Sequence, residues 1–257
     1  MSTPRAPIRL GDGPPETSGR EVADGSAAPD LARGTLRGWP RRLLRALLLP
    51  LMARVVGLRL EGVANVPTSG PVLVVSNHVH NADPIVMEIA FPRPLHYMAK
   101  RELFGIPIVG WVSHRVGAFP VDRGRADRGA LRHAEAVLKQ GIAVGMFPEG
   151  TRSPTRSLRS ALPGVGMVAL RTGVAILPVA ITGTERLPLN GGKGGGGGSL
   201  VADRQTEPGI RVRFGPVFHL VTDDGSANLG VQEATDRMME AVAALLPPNY
   251  RGVYGEE

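Results

Sequence analysis

The sequence contains no cysteine, which excludes disulfides, thiolate zinc sites and a cysteine nucleophile and leaves the fold to packing alone. Aromatic residues are scarce, at 4%. Nucleic-acid-binding faces draw on interleaved aromatics and widely spread basic residues, so nucleic acid is not an expected partner. No mostly apolar, uncharged run approaches about 18 residues, and the N-terminus lacks the charged start, apolar middle and small-residue end of a signal peptide. Neither a membrane span nor secretion is expected, and the chain reads as intracellular. What is present is ordinary for a globular protein: 257 residues, 42% hydrophobic and 21% charged. That length suits one α/β domain with a sizeable core and a tail.

The formal net charge of +7 is local. Residues 31–60 hold seven arginines (33, 37, 41, 42, 45, 54 and 59) and no acid, while the other 227 positions carry 23 basic and 23 acidic residues. Before this segment, residues 1–30 are rich in Pro, Gly, Ser and mixed charge without apolar periodicity, and read as a disordered tail. Residues 31–59 read as a basic amphipathic segment that associates with an anionic membrane surface. On a helix Arg41, Arg42 and Arg45 fall within an arc of about 100°, with Leu44, Leu47, Leu48, Leu51 and Val55 opposite. Arg54 intrudes on the apolar side, and Pro50 is expected to kink or divide the helix.

Residues 60–257 alternate short apolar runs with amphipathic segments. Strands are expected at 72–76, 116–121, 142–147, 174–181 and 210–215, and helices at 84–91, 126–140, 164–172 and 230–246. This alternation predicts an α/β fold with a mostly parallel sheet flanked by helices, in which ligands sit where strands end. The Gly-rich stretch 191–198 reads as a flexible loop without chemistry.

Three predicted strand ends carry reactive side chains. VLVVS runs into NHVHNADP, where Asp83 before Pro84 is expected to be the N-cap of the next helix and His78 stands in the turn. A five-residue step along one helix would splay His78 and Asp83 by about 140°, so they meet only if the chain turns between them. A carboxylate on one imidazole nitrogen fixes the tautomer and leaves the other to accept a proton from a hydroxyl. Taken alone, the pair also suits a satisfied loop. FPEGTRSP places Glu149, Gly150, Thr151 and Arg152 after the strand at 142–147; taken alone, its acid and guanidinium suit an ordinary ion pair. Arg123 follows the strand at 116–121. Arg presents a planar fork suited to a phosphate monoester.

The order NHVHNADP, KRELFGIPIVGWVSHRVGAFPVDRG, FPEGTRSP, VAILPVAITGTE resembles the glycerolipid acyltransferase family typified by 1-acyl-sn-glycerol-3-phosphate acyltransferases, over roughly residues 58–220. The resemblance implies transfer of a fatty acyl group from acyl-CoA or acyl carrier protein to the free hydroxyl of a lysophospholipid, at the cytoplasmic face of a membrane, without a metal or cofactor. It implies His78 as general base, Asp83 as its orienting partner, Glu149, Gly150, Thr151 and Arg152 as acceptor-positioning residues, and Arg123 as the phosphate ligand. Pro178 matches a position associated with acyl-donor binding or with packing. The chain departs from the family at His80, where serine is usual, and at Asp122, an acid beside the expected phosphate ligand. Another lyso-lipid acceptor, a hydrolase or a non-catalytic lipid binder remain alternatives.

Overall fold

The computed structural model describes residues 38–105, 107–115, 117–121, 127–187, 209–220 and 229–255. The expectations for residues 1–30, the Gly-rich stretch and Arg123 lie outside them.

Every residue of VLVVS is buried, as required of a strand covered on both faces. Alternation sends Leu73 and Val75 into one core cluster and Val72 and Val74 into the other. Around it the chain runs α1 (Trp39–Val55), β1 (Arg59–Glu61), β2 (Val72–Ser76), α2 (Asp83–Ala90), β3 (Leu95–Lys100), α3 (Pro107–Arg115), β4 (Ala118–Val121), α4 (Arg128–Lys139), β5 (Ala143–Met146), α5 (Gly164–Thr172), β6 (Ala175–Thr182), β7 (Arg211–Phe214) and α6 (Val231–Leu245). Among the described residues, seven strands form one sheet in the order β1-β7-β6-β2-β5-β3-β4. The five strands from β6 to β4 are mutually parallel, whereas β7 runs antiparallel to β6 and parallel to β1. Helices α4, α5 and α6 cover one face through Ala134, Val137, Val168 and Met238. The other face is closed by Val86, Met87 and Ala90 of α2, with Leu49 and Met52 of α1 packed against them.

The expected α/β fold with a mostly parallel sheet is what forms, and α5 and β2 occupy the predicted residues. Three elements were not anticipated. β1 is only three residues long, β3 (LHYMAK) mixes polar and apolar positions, and α3 has Gly110 in its interior.

Three local expectations are corrected. Asp83 does not cap α2: the N-cap position is Ala82, and the Asp83 side chain turns back to N–H groups that precede the helix. Pro50 does not divide α1, which runs unbroken from Trp39 to Val55. The proline is exposed, so the carbonyl that loses its helical donor has access to water. The basic arc of α1 is not its outer face. Arg41 is buried, bonding the Glu88 carboxylate at 3.0 Å and the carbonyls of Glu88 and Phe91 at 3.1 and 3.0 Å. Arg45 donates to the carbonyls of Ile89 and Ala90, both at 3.1 Å. Two guanidiniums thus satisfy the last carbonyls of α2, where helix polarity favours cations. The surface left outside is largely apolar, with Trp39 74%, Leu43 52%, Leu47 62%, Leu51 55% and Val55 70% exposed, and Arg42 and Arg54 are exposed with them.

Candidate active site

β2 ends at Ser76, and the next residue fixes how the chain leaves the sheet. The Asn77 amide donates to the Ile181 carbonyl and accepts from the Ile181 N–H, both at 2.8 Å, which extends the β2–β6 pairing by one side chain. The chain then reverses and brings His78 Nδ1 to 2.8 Å from Asp83 Oδ2. The same oxygen accepts the backbone N–H groups of Val79 and His80 at 2.7 Å each, and Oδ1 accepts the Thr184 hydroxyl at 2.6 Å. Asp83 is fully buried, and a carboxylate in that position requires such partners. With Nδ1 against a carboxylate, the neutral imidazole carries its proton there, and Nε2 is the basic nitrogen. Phe147 stacks on the ring at a centroid distance of 4.5 Å and holds its plane.

The loop after β5 grips the backbone of His78 from both sides. Glu149 Oε1 accepts the His78 N–H at 2.9 Å, and the Ser153 N–H donates to the His78 carbonyl at 2.8 Å. Glu149 Oε2 accepts the Arg159 N–H at 3.1 Å, so both carboxylate oxygens are committed to backbone donors. Burial pushes this carboxyl up to about 7, against the opposing pull of those two N–H groups. Gly150 has φ +66°, and a Cβ there would stand 2.6 Å from a Leu162 methyl carbon. Thr151 is exposed and Arg152 half-buried at the same sheet edge.

His80 is buried beside the pair but differently engaged. Its ring Nδ1 accepts the Ala82 N–H at 3.0 Å, and it reaches Asp83 only through its own backbone N–H. Burial holds its pKa below the ordinary histidine value, partly offset by Asp83, with Arg152 adding to the lowering. The structure therefore joins His78, Asp83 and Glu149, with Gly150 shaping the loop. Pro178 is buried within β6, paired with Val75 and crowded against Gly215, a packing position.

Asn77, Phe147, Ser153 and Thr184 were not singled out from sequence, although each lies within or beside a quoted block. Their partners are 69 to 104 positions away, and no local spacing announces them. Among the described residues, no group of three His, Asp or Glu side chains is arranged to hold a metal ion.

Residues 57–182 match the family described as Acyltransferase, a span that holds the dyad, the loop clamping it and β6 up to Thr182. With these residues the chain belongs to the acyltransferase family. It is 35% identical over 140 residues to the chloroplastic 1-acyl-sn-glycerol-3-phosphate acyltransferase LPAT1 of Arabidopsis thaliana, covering 53% of this chain and 39% of that protein. A 1-acyl-sn-glycerol-3-phosphate acyltransferase of Borreliella burgdorferi is 31% identical, over 56% of this chain and 58% of its own length. A lyso-ornithine lipid O-acyltransferase of Pseudomonas aeruginosa is 33% identical, over 63% and 59%. The chain thus spans about half the length of these curated relatives. Among solved structures, the 1-acyl-sn-glycerophosphate acyltransferase PlsC of Thermotoga maritima superposes with a TM-score of 0.55 at 26% identity, covering 81% of this acyltransferase-family chain and 83% of that one.

Proposed function

We propose that the protein transfers a fatty acyl group from a thioester, acyl-CoA or acyl carrier protein, to the free hydroxyl of a lysophospholipid, with 1-acylglycerol 3-phosphate as acceptor and phosphatidate as product. The observation that carries this reading is the buried His78–Asp83 pair at 2.8 Å, its backbone pinned by the loop after β5. His78 Nε2 takes the proton of the acceptor hydroxyl as its oxygen attacks the thioester carbonyl. The C–O bond forms, the C–S bond breaks, and the imidazolium returns the proton to the departing thiolate. Asp83 stabilises the transient imidazolium and fixes the ring. A thioester is already activated, so an oriented alcohol, a base and electrostatic support suffice without a covalent enzyme intermediate. Arg152, with Arg123, supplies forks for the acceptor phosphate.

A second acceptor reading has its own support, because the lyso-ornithine lipid acyltransferase is as similar to this chain as the phosphatidate-forming relatives are. The acceptor is a membrane-partitioning amphiphile in either case, and the largely apolar outer face of α1 attaches the protein to the bilayer that contains it. The attachment proposed is peripheral, at the cytoplasmic face; among the described residues, no helix is long and apolar enough to cross a membrane.

Purified protein is incubated with acyl-CoA alone, with 1-acylglycerol 3-phosphate and with lyso-ornithine lipid, and thiol release is followed. Release that requires 1-acylglycerol 3-phosphate is expected. Release only with the ornithine lipid selects the second reading, release without any acceptor indicates a hydrolase, and no release indicates a lipid-binding protein.

A further inference from the structure

β7 reads Arg-Val-Arg-Phe, and the alternation has an unusual destination. Val212 and Phe214 enter the core on the α2 side. Arg211 and Arg213, two positions apart, therefore share the opposite face of the sheet, the face that α6 covers. They do not simply reach solvent. With Arg59, Arg186 and Arg251 they line a cavity of about 390 Å³ under the C-terminal end of α6, within the size range of small-molecule sites. No Asp or Glu is among the described lining residues. From outside the lining, Glu61 pairs with Arg211 and Arg213, and Glu185 lies 4.0 Å from Arg186. Arg213 is also held by the Leu245 carbonyl at 3.1 Å and Arg251 by the Leu246 carbonyl at 3.0 Å. Five guanidiniums converge on one cavity whose described wall holds no carboxylate, a set of forked donors suited to a polyanion.

The cavity stands next to the dyad. Its wall includes Thr182, Gly183 and Arg186, and Thr184 between them donates to Asp83. At about 4.8 Å per strand, β7 and β1 lie roughly 10 to 15 Å across the sheet from the base on β2. The acceptor-side residues after β5 lie on the other flank, because β2 separates β5 from β6. Two substrates must reach one base, and this sheet offers them opposite sides.

We infer that the five-arginine cavity under α6 binds the phosphates of the nucleotide end of coenzyme A, with the pantetheine arm crossing β6 to present the thioester to His78. A diphosphate and a further phosphate monoester match five forked donors better than the single phosphate of an acceptor headgroup or of a carrier-protein arm. The inference rests on the acyl-transfer reading and commits its donor to acyl-CoA.

The full-length protein is titrated calorimetrically with coenzyme A and with pantetheine, and donor kinetics are measured for wild type, Arg211→Gln and Arg251→Gln. Coenzyme A should bind at least tenfold tighter than pantetheine, and the difference should shrink in both variants. Each variant should raise KM for acyl-CoA about ten- to hundredfold, while kcat at saturating donor and KM for the lysophospholipid stay near wild type. Melting temperatures of the variants serve as the folding check, and the wild-type titration stands even if a variant unfolds. Equal binding of coenzyme A and pantetheine would overturn the assignment, as would variants that raise only the acceptor KM, or a wild type that accepts acyl groups solely from carrier protein. Arginine-dependent coenzyme A binding without any acyl transfer would instead overturn the acyl-transfer reading and leave the cavity's ligand standing.

Discussion

Two imidazoles lie within three residues of each other, and their hydrogen bonds separate them. Only the His78 ring meets Asp83, whereas the His80 ring accepts from Ala82. His78→Ala should lower the transfer rate by about 10² to 10⁴, the usual contribution of a positioned base, without moving the melting temperature far. His80→Ser should retain most activity, since a serine hydroxyl can accept the same N–H two residues on and the backbone bond to Asp83 is independent of the side chain. A His80→Ser protein as inactive as His78→Ala would reverse the assignment. Glu149 makes a pH-dependent contribution to stability. Burial raises its carboxyl from 4.5 to about 7, so the folded state binds a proton that the unfolded chain has released over that interval. Its contribution is therefore most favourable below about pH 4.5 and declines as pH rises toward and through about 7. Thermal melts of wild type and Glu149→Gln from pH 4.5 to 8 should show wild type losing stability relative to the variant across that window.

At the scale of elements, α1 and α2 form one strut. Arg41 and Arg45 tie α1 to the carbonyls that end α2, and the first residue of α2 is the dyad's Asp83. Arg41→Ala removes a buried guanidinium from Glu88 and should cost about 3 kcal/mol in denaturant unfolding. The loss should be smaller at pH 5 than at pH 8. Burial already raises the Glu88 carboxyl to about 7 despite Arg41, so at low pH it is left neutral rather than charged and unpaired. A cost independent of pH would mean that the carbonyl bonds, not the ion pair, carry the docking.

For the whole molecule, the decisive feature is which side of α1 faces outward. The charge arithmetic pointed to arginines meeting anionic lipid, but Arg41 and Arg45 are turned inward, and the outer surface is dominated by Trp39, Leu43, Leu47 and Leu51 with Arg42 and Arg54 beside them. Attachment dominated by apolar insertion should weaken only modestly with salt, the contribution of exposed Arg42 and Arg54 being screened over about 8 Å at physiological ionic strength. Leu47→Ser with Leu51→Ser should release the protein from sedimenting vesicles and depress activity on bilayer substrate, while sparing activity on a dispersed short-chain acceptor. Deleting the whole segment is a poorer experiment, because Leu49, Met52 and Val56 pack against the core. Binding abolished by salt but not by the two serines would restore the electrostatic account.

The sequence by itself determined the parts of this protein that depend on local order. Alternating apolar runs and amphipathic segments set an α/β sheet, because burial on two faces demands continuous apolar strands and helices demand a 3.6-residue stripe. The turn between VLVVS and Asp-Pro brought His78 to Asp83, since five residues can close only by reversing. Tertiary structure decided everything that required a partner far along the chain. Thr184 completes the Asp83 carboxylate from 101 positions away, and Glu149 holds the His78 backbone from 71 away. Arg211 and Arg213 gather with three other arginines around a cavity rather than facing water. The direction of the α1 arginines was decided the same way: a helical wheel separates charged from apolar residues, but which side is buried depends on what lies beneath. Here that is the open C-terminal end of α2, whose unsatisfied carbonyls attract guanidinium more strongly than they tolerate leucine.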